Sequence, residues 1–314
     1  MRILVVGAGA IGGYFGGRLL EAGRDVTFLV RPRRAAQLAK TGLIIRSQFG
    51  DVVMPSPPTV AAEALRETFD LILLSCKAYD LESAAGSLAP AVGVKTAILP
   101  LLNGMAHMDF LNRRFGSAAA LGGQCVISTT LDAEGRIIHL NDTHFLSFGE
   151  QNGAKSARAE AIVATLSQAR FESRLSTAIL QEMWEKWVLI STMAGITCLM
   201  RATVGDIVAA GAADLAIALL DECSAIAAAQ GFAPREPTMI RNRTMLTTPG
   251  STFAASMLRD IERGAPIEAD HIIGDLLQRG TGEGRDYPLL RIAHGHLKAY
   301  EARRKRENTA SPAG

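Results

Sequence analysis

The side chain that most needs a chemical reason is Lys186, inside the stretch QEMWEKWVLISTMAGITCLM from Gln181 to Met200, where no further charge follows until Arg201. On a helical wheel it shares a face with Glu182, Met183, Leu189, Ile190 and Met193. Burying an ammonium is costly unless it is paired or loses its proton. Two explanations fit: an i−4 pair with Glu182 whose aliphatic stem snorkels to water, or a proton donor set in a cleft, where partial desolvation brings its pKa toward working pH. Far downstream, in ASMLRDIERGAPIEADHIIGDLL, Ser256, Asp260 and Glu268 are polar points on an amphipathic pattern. Glu268 follows the break GAP, where a new helix can begin, and reads either as a first-turn acid favoured by the helix dipole or as a partner for the lysine.

A second group surrounds glycines. In ILVVGAGAIGGYFGGRL, Gly7, Gly9 and Gly12 have GxGxxG spacing directly after an apolar β-type run, and Ala10 and Ile11 open the helix that follows. The first glycine permits a tight turn, the second lets backbone approach a pyrophosphate, and the third lets helix and strand pack closely, with the helix N-terminus facing the phosphates. NAD-selective sites usually carry an acid at the end of the second strand, but DVTFLVRPRR has Arg31 there and Asp25 at the wrong end. A guanidinium suits a 2′-phosphate, so NADP(H) is the favoured cofactor; alternatively, Arg31, Arg33 and Arg34 are the solvated start of the next helix. Two further loops leave the C-terminal ends of expected strands: LLSCKAYD with Lys77, and LPLLNGMAH with Asn103 and Gly104.

Elements able to position these residues follow from the pattern. RILVV, Ala10 to Ala22, DVTFLV, DLILLS and TAILP alternate strand and helix in a βαβ rhythm, which calls for a mostly parallel sheet covered on both faces. IIHL and HFLSFG, separated by NDT, suggest a hairpin closing that sheet. From about Ser176 strand signals give way to helices, among them a stripe of Leu215, Leu219, Cys223 and Ile226 stopped by Gly231 with Pro234 beyond. The expected fold class is α/β: a Rossmann-type, doubly wound NADP-binding domain over residues 1–175, an all-helical substrate domain over 176–307, and a disordered tail over 308–314.

Composition narrows the function classes. Thirty-three basic against thirty-one acidic side chains leave +2, so overall charge does not argue for nucleic acid, and the basic run ARRKREN near the end reads as a frayed, solvated tail. Cys76, Cys125, Cys198 and Cys223 are widely separated, with no CxxC and no histidine at ligand spacing. They indicate reduced thiols and neither zinc nor disulfides. The apolar start is too short for a signal peptide, and the uncharged run after Lys186 is shorter than the roughly 20 residues that span a bilayer. A cytoplasmic protein with no membrane partner is expected, its apolar helical domain offering a surface for a homodimer.

Taken together, GAGAIGG, LVRP with Arg31, CKAYD with Lys77, LLNGM with Asn103, MWEKW with Lys186 and SMLRDIERGAPIEAD with Ser256 and Glu268 resemble the ketopantoate reductase (2-dehydropantoate 2-reductase) family over nearly the whole chain. The resemblance implies an NADPH-dependent reductase of a 2-oxo acid on the route to pantothenate. Carried over residue by residue, it makes Lys186 the general acid for the nascent alkoxide, with Glu268 ordering the ammonium and helping to hold substrate. Ser256 would bond the substrate carboxylate, Asn103 would sit by nicotinamide and substrate, and Lys77 near the nicotinamide end of the cofactor. The sequence departs from the family where members carry asparagine: Ile190 and Ala194 stand one and two turns beyond the lysine, and Phe253 three residues before the serine. These replacements weaken the case for ketopantoate's hydroxyl as a recognised group. A paralogous reductase of a more apolar 2-oxo acid and a non-catalytic NADP-binding sensor are the alternatives; retention of Lys186 and Glu268 argues against the sensor.

Overall fold

The computed structural model describes residues 1–282 and 285–310. The chain divides into two compact units, one of Met1–Leu102 and His107–Leu180, the other of Asn103–Ala106 and Gln181–Gly314. The strands belong to the first unit: β1 (Arg2–Val6), β2 (Asp25–Leu29), β3 (Leu43–Arg46), β4 (Val52–Met54), β5 (Thr59–Val60), β6 (Leu71–Leu74), β7 (Ala97–Pro100), β8 (Gly122–Leu131), β9 (Ile137–Gly149) and β10 (Glu172–Leu175). With them go α1 (Ala10–Glu21), α2 (Pro32–Thr41), α3 (Leu81–Leu88), α4 (Ala106–Phe115) and α5 (Ala157–Leu166).

The first sheet is parallel throughout, in the order β5-β2-β1-β6-β7. Alternate residues of β1 enter different cores. Ile3 and Val5 pack with Tyr14, Phe15 and Leu19 of α1, whereas Leu4 and Val6 pack with Leu81 and Leu88 of α3 and Leu111 of α4. Burial on both faces is why RILVV, LILL and AILP read as unbroken apolar runs. The order reverses around β1, so the loops after β2 and β6 flank the glycine turn that leaves β1.

A second sheet runs β10-β9-β3-β4, with β8 also paired to β9. It corrects the expected hairpin: IIHL and HFLSFG are halves of one strand, β9, and NDT does not turn. β8 runs antiparallel along β9 from Leu131 opposite Ile137 to Gly122 opposite Gly149. β9's remaining edge is shared between β3 at residues 137–138 and β10 at 145–148. The ladder shifts register between Ile127 and Thr129, and Asn141 Oδ1 accepts the Ser128 N–H at 2.7 Å there. The polar triplet therefore services a bulge in an extended strand.

The second unit is helical: α6 (Ile179–Met200, whose first residues precede the boundary), α7 (Val204–Ala209), α8 (Ala213–Ala229), α9 (Glu236–Thr247), α10 (Ser256–Glu262), α11 (Asp275–Gly280) and α12 (Pro288–Ala310). Leu219, Cys223 and Ile226 of α8 are buried as expected, but Leu215 is exposed, because the helix begins only at Ala213 and its first turn lies outside the core. Gly231 ends it with φ +85°. A Cβ at Gly195 would meet the Leu219 side chain at 2.7 Å, so the glycine sets how closely α6 and α8 approach.

Residues 308–310, expected as tail, continue α12 as helix. The basic run is solvated but not frayed at its base, where Arg304 donates to the Gly264 carbonyl at 2.6 Å and Tyr300 to that of Ala265 at 2.8 Å. The rest of the expected tail, 311–314, lies outside the described residues. The four cysteines form no disulfide, and no helix among the described residues is long and apolar enough to cross a membrane.

Candidate active site

The glycine turn is built for close approach. Gly7 has φ +93°, a backbone state that L side chains avoid. A Cβ on Gly12 would collide with Ser75 Oγ and the Gly7 carbonyl, and Ser75 itself donates to the Val6 carbonyl at 2.9 Å. Gly12 is thus required by the protein alone. Gly9 differs: as N-cap of α1 it has an ordinary φ of −79°, and an added Cβ would meet nothing within 4 Å. The space in front of Gly9, Ala10 and Ile11 faces a helix start with no acidic residue in its first turn, a setting suited to a phosphate group.

Arg31 caps α2 at the end of β2, and its Nη2 donates to Asp80 Oδ1 at 2.6 Å. The hydrogen bond and charge of Asp80 hold the guanidinium still more firmly protonated. Lys77 directly precedes the short 3₁₀ turn Ala78–Asp80 that leads into α3. Arg34 is no solvated helix start: its Nε donates to the Ala8 carbonyl inside the glycine turn at 2.9 Å, and its Nη1 to Gln37 Oε1 at 2.6 Å and the Gly135 carbonyl at 3.1 Å. Burial lowers its pKa.

In the second unit, Lys186 is half-buried on α6. Residues 186, 190, 194 and 197 recur at i, i+4, i+8 and i+11 and so form one stripe. Between Lys186 and Thr197 that stripe carries half-buried Ile190 and buried Ala194. Thr197 Oγ1 accepts the Ala255 N–H at 3.3 Å, which anchors the start of α10, where Ser256 is the first helical residue and exposed. Lys186 and the anchor of Ser256 therefore lie on one face of one helix, with an apolar interval between. Phe253, the third departure, is also exposed.

Glu268, half-buried, directly precedes a helix that begins at Ala269 and winds as a π-turn over Asp270–Gly274. π-Turns loosen the regular ladder and release carbonyls. Here the Ile272 carbonyl accepts both Trp187 Nε1 at 2.8 Å and Ser191 Oγ at 3.1 Å, two donors from α6 next to Lys186 on the chain and just beyond it. In the same turn His271 Nε2 bonds the Asn103 carbonyl at 2.7 Å. Gly104, at φ +79°, presses close enough that a Cβ would meet the His271 carbonyl at 2.9 Å. One irregular turn thus ties the Lys186 helix, Glu268 and the half-buried Asn103 together.

Glu185, beside Lys186 in sequence, is buried and faces Arg235 at the start of α9. It accepts from the Arg235 backbone N–H at 2.9 Å, Nε at 2.7 Å and Nη2 at 2.5 Å. Burial pushes its carboxyl pKa up, but the bonds from Arg235 outweigh this and hold it below the usual range. This pair pins α6 at the level of Lys186.

Sequence reasoning missed Asp80, Arg34 and His271 as parts of these arrangements. Asp80 lies in the 3₁₀ turn before α3 and gives that helix no side-chain cap, and nothing local in the sequence pairs it with Arg31. His271 had a usable signal, since it stands three residues after Glu268 at a helix start.

Comparison with known proteins adds an independent line. A family model described as Ketopantoate reductase PanE/ApbA matches residues 3–153, and its C-terminal counterpart matches 178–301. An oxidoreductase of Bacillus subtilis (strain 168), YkpB, described as uncharacterized, is 37% identical over 305 residues, covering 96% of this chain and 99% of its own. The crystal structure of 2-dehydropantoate 2-reductase from Methylococcus capsulatus superposes with TM-score 0.86 at 26% identity, covering 97% of this chain and 98% of that one. A ternary structure of D-mandelate dehydrogenase with NADH and anilino(oxo)acetate shares the fold, with TM-score 0.87 at 22% identity over 97% of this chain and 100% of that one.

Proposed function

The chain belongs to the ketopantoate reductase PanE/ApbA family of oxidoreductases, and from that premise we propose that it reduces a small 2-oxo acid to the 2-hydroxy acid with a nicotinamide dinucleotide. Ketopantoate, giving pantoate for pantothenate synthesis in the cytoplasm, is the first substrate to test. Gly7, Gly9, Gly12 and the start of α1 at Ala10 and Ile11 would hold the pyrophosphate. Arg31 is the group available to the 2′-phosphate of NADP(H), and Lys77 and Asn103 serve the nicotinamide side. The cofactor, when bound, supplies hydride.

What the chain itself adds is a proton and an orientation. Lys186 protonates the oxygen at C2 as that carbon is reduced, and a cation within hydrogen-bond reach stabilises the developing alkoxide more than the ground-state carbonyl. Glu268 orders the ammonium, and Ser256 and Asn103 orient the substrate. The observation carrying this reading is the α6 stripe, which has a cation at one end, the anchor of Ser256 at the other and the π-turn after Glu268 bonded alongside.

Lys186→Ala should lower turnover about 10²–10⁴-fold, the usual weight of a positioned acid, while leaving nucleotide affinity and melting temperature unchanged. Turnover that persists per folded molecule defeats the assignment. Ile190, Ala194 and Phe253 favour a second reading, a 2-oxo acid with an apolar side chain and no hydroxyl to bond. Reduction of a panel of 2-oxo acids separates the two: kcat/KM for ketopantoate far below ~10⁴ M⁻¹s⁻¹, with a more apolar acid above it, selects the second.

A further inference from the structure

The Arg31–Asp80 pair changes what the glycine-loop site can select. Both residues belong to the first unit. Arg31 comes from the end of β2 and Asp80 from the loop after β6, and these strands flank β1, whose own loop is the glycine turn. The two side chains meet at 2.6 Å. Asp80 ends the 3₁₀ turn that runs directly into α3, with helical φ −99° and ψ −3°, so its side chain caps no helix N–H and is turned to the guanidinium. The side chains are 66% and 32% exposed, so the pair is a solvent-facing one, weakly held and open to displacement.

From this geometry we infer that Asp80 is a specificity-determining residue which narrows the preference for NADPH over NADH and makes the chain a user of both. The inference deepens the proposed function and rests on its assignment of the glycine turn to a nicotinamide dinucleotide. A selective NADP site offers a cation with no anion beside it; a selective NAD site offers a carboxylate at the end of the second strand to accept the ribose hydroxyls. Here the second strand ends in a cation and the carboxylate arrives from the loop after β6. A ribose diol can donate to Asp80 while Arg31 keeps its ion pair. A 2′-phosphate takes Arg31 only against Asp80, whose like charge then faces the phosphate. Sequence alone puts Arg31 in view, and Asp80, about fifty positions away, joins it only in the fold.

The test is direct binding of NADPH and NADH, by calorimetry or quenching, to the native chain, Asp80→Asn and Arg31→Gln. The native chain should bind both nucleotides within about tenfold of one another. Asp80→Asn should tighten NADPH about tenfold and weaken NADH severalfold. Arg31→Gln should weaken NADPH and leave NADH nearly unchanged. Asp80→Ser gives the same comparison if the amide forms a new bond to Arg31. A ratio of the two affinities unmoved by either Asp80 variant overturns the inference, as does weaker NADPH binding, which makes Asp80 only a support that orients Arg31. Failure of the native chain to bind either nucleotide removes the cofactor assignment itself, and the inference with it.

Discussion

At the scale of single residues, the three glycines of the turn carry distinct demands that can be separated by experiment. Gly12→Ala drives a methyl into Ser75 and the Gly7 carbonyl, so it should cost at least about 2 kcal/mol of stability, as overpacking against backbone does. Gly9→Ala meets no protein atom. It should stay within about 1 kcal/mol of the native stability, a glycine-to-alanine change at an N-cap, yet weaken nucleotide binding by tenfold or more. Denaturant unfolding and calorimetric titration of both variants decide the matter; a Gly9→Ala chain with undiminished binding means that no pyrophosphate lies there. The glycine turn was legible in the sequence because Gly7 and Gly12 answer local backbone and packing needs. The charge state around Arg31 was not, because an ion pair between distant residues exists only once β2 and β6 flank β1. Arg34 shows the same limit: its position in RPRR suggests solvent, and only the fold brings the Ala8 carbonyl to it.

At the scale of elements, the parallel strands and most helices follow from apolar runs and periodicity, whereas the second sheet does not. β8 opens on glycines and alternates poorly, β3 and β4 are short, and β9 contains a polar triplet whose role depends on the bulge opposite it. Local pattern cannot reveal pairings of that kind. Nor does it reveal the π-turn, the element with most bearing on the candidate site, since a single shift in helical register leaves Glu268-Ala-Asp-His271 looking like an ordinary helix start. Its function is open to test through His271, whose Nε2 bonds the Asn103 carbonyl. His271→Phe removes the donor to the Asn103 carbonyl, which should lower the melting temperature by a few degrees, as a loss of about 1–2 kcal/mol does, and kcat of the folded enzyme should fall about tenfold. His271→Gln, which restores a donor, should recover most of the loss. The shape of the pH–rate profile should not move, because neutral and protonated imidazole both present an Nε2–H. A shifted acid limb would instead make His271 a proton carrier, and an unchanged kcat would leave it without a part in positioning.

At the scale of the whole molecule, the two units carry different acid sensitivities. In the first, Tyr14 OH bonds His144 Nδ1 at 2.7 Å and Phe49 stacks on the ring at 3.9 Å. Burial lowers the His144 pKa below 6.5, helped by the charges of His139 and Arg18 and opposed by Glu172. The unfolded chain therefore takes up the proton first, and stability present above pH 6.5 is lost as pH falls through the lowered folded value. In the second unit the depressed Glu185 keeps its contribution until pH drops below 4.5 and then loses it through its own folded value. Hydrogen exchange, corrected for intrinsic rates, should show α1 and β9 loosening as pH falls from 6.5 toward 4.5 while α6 stays protected; equal responses refute the division. The second unit also carries both tryptophans of the chain. Trp187 is fastened to the Ile272 carbonyl, Trp184 lies flat against Phe232 at 5.3 Å, and the Arg279 guanidinium sits over both indoles. Native emission is thus an unlabelled optical gauge of the joint beside Lys186, blind to the sheets: a red shift signals that joint opening, whatever the rest of the chain is doing.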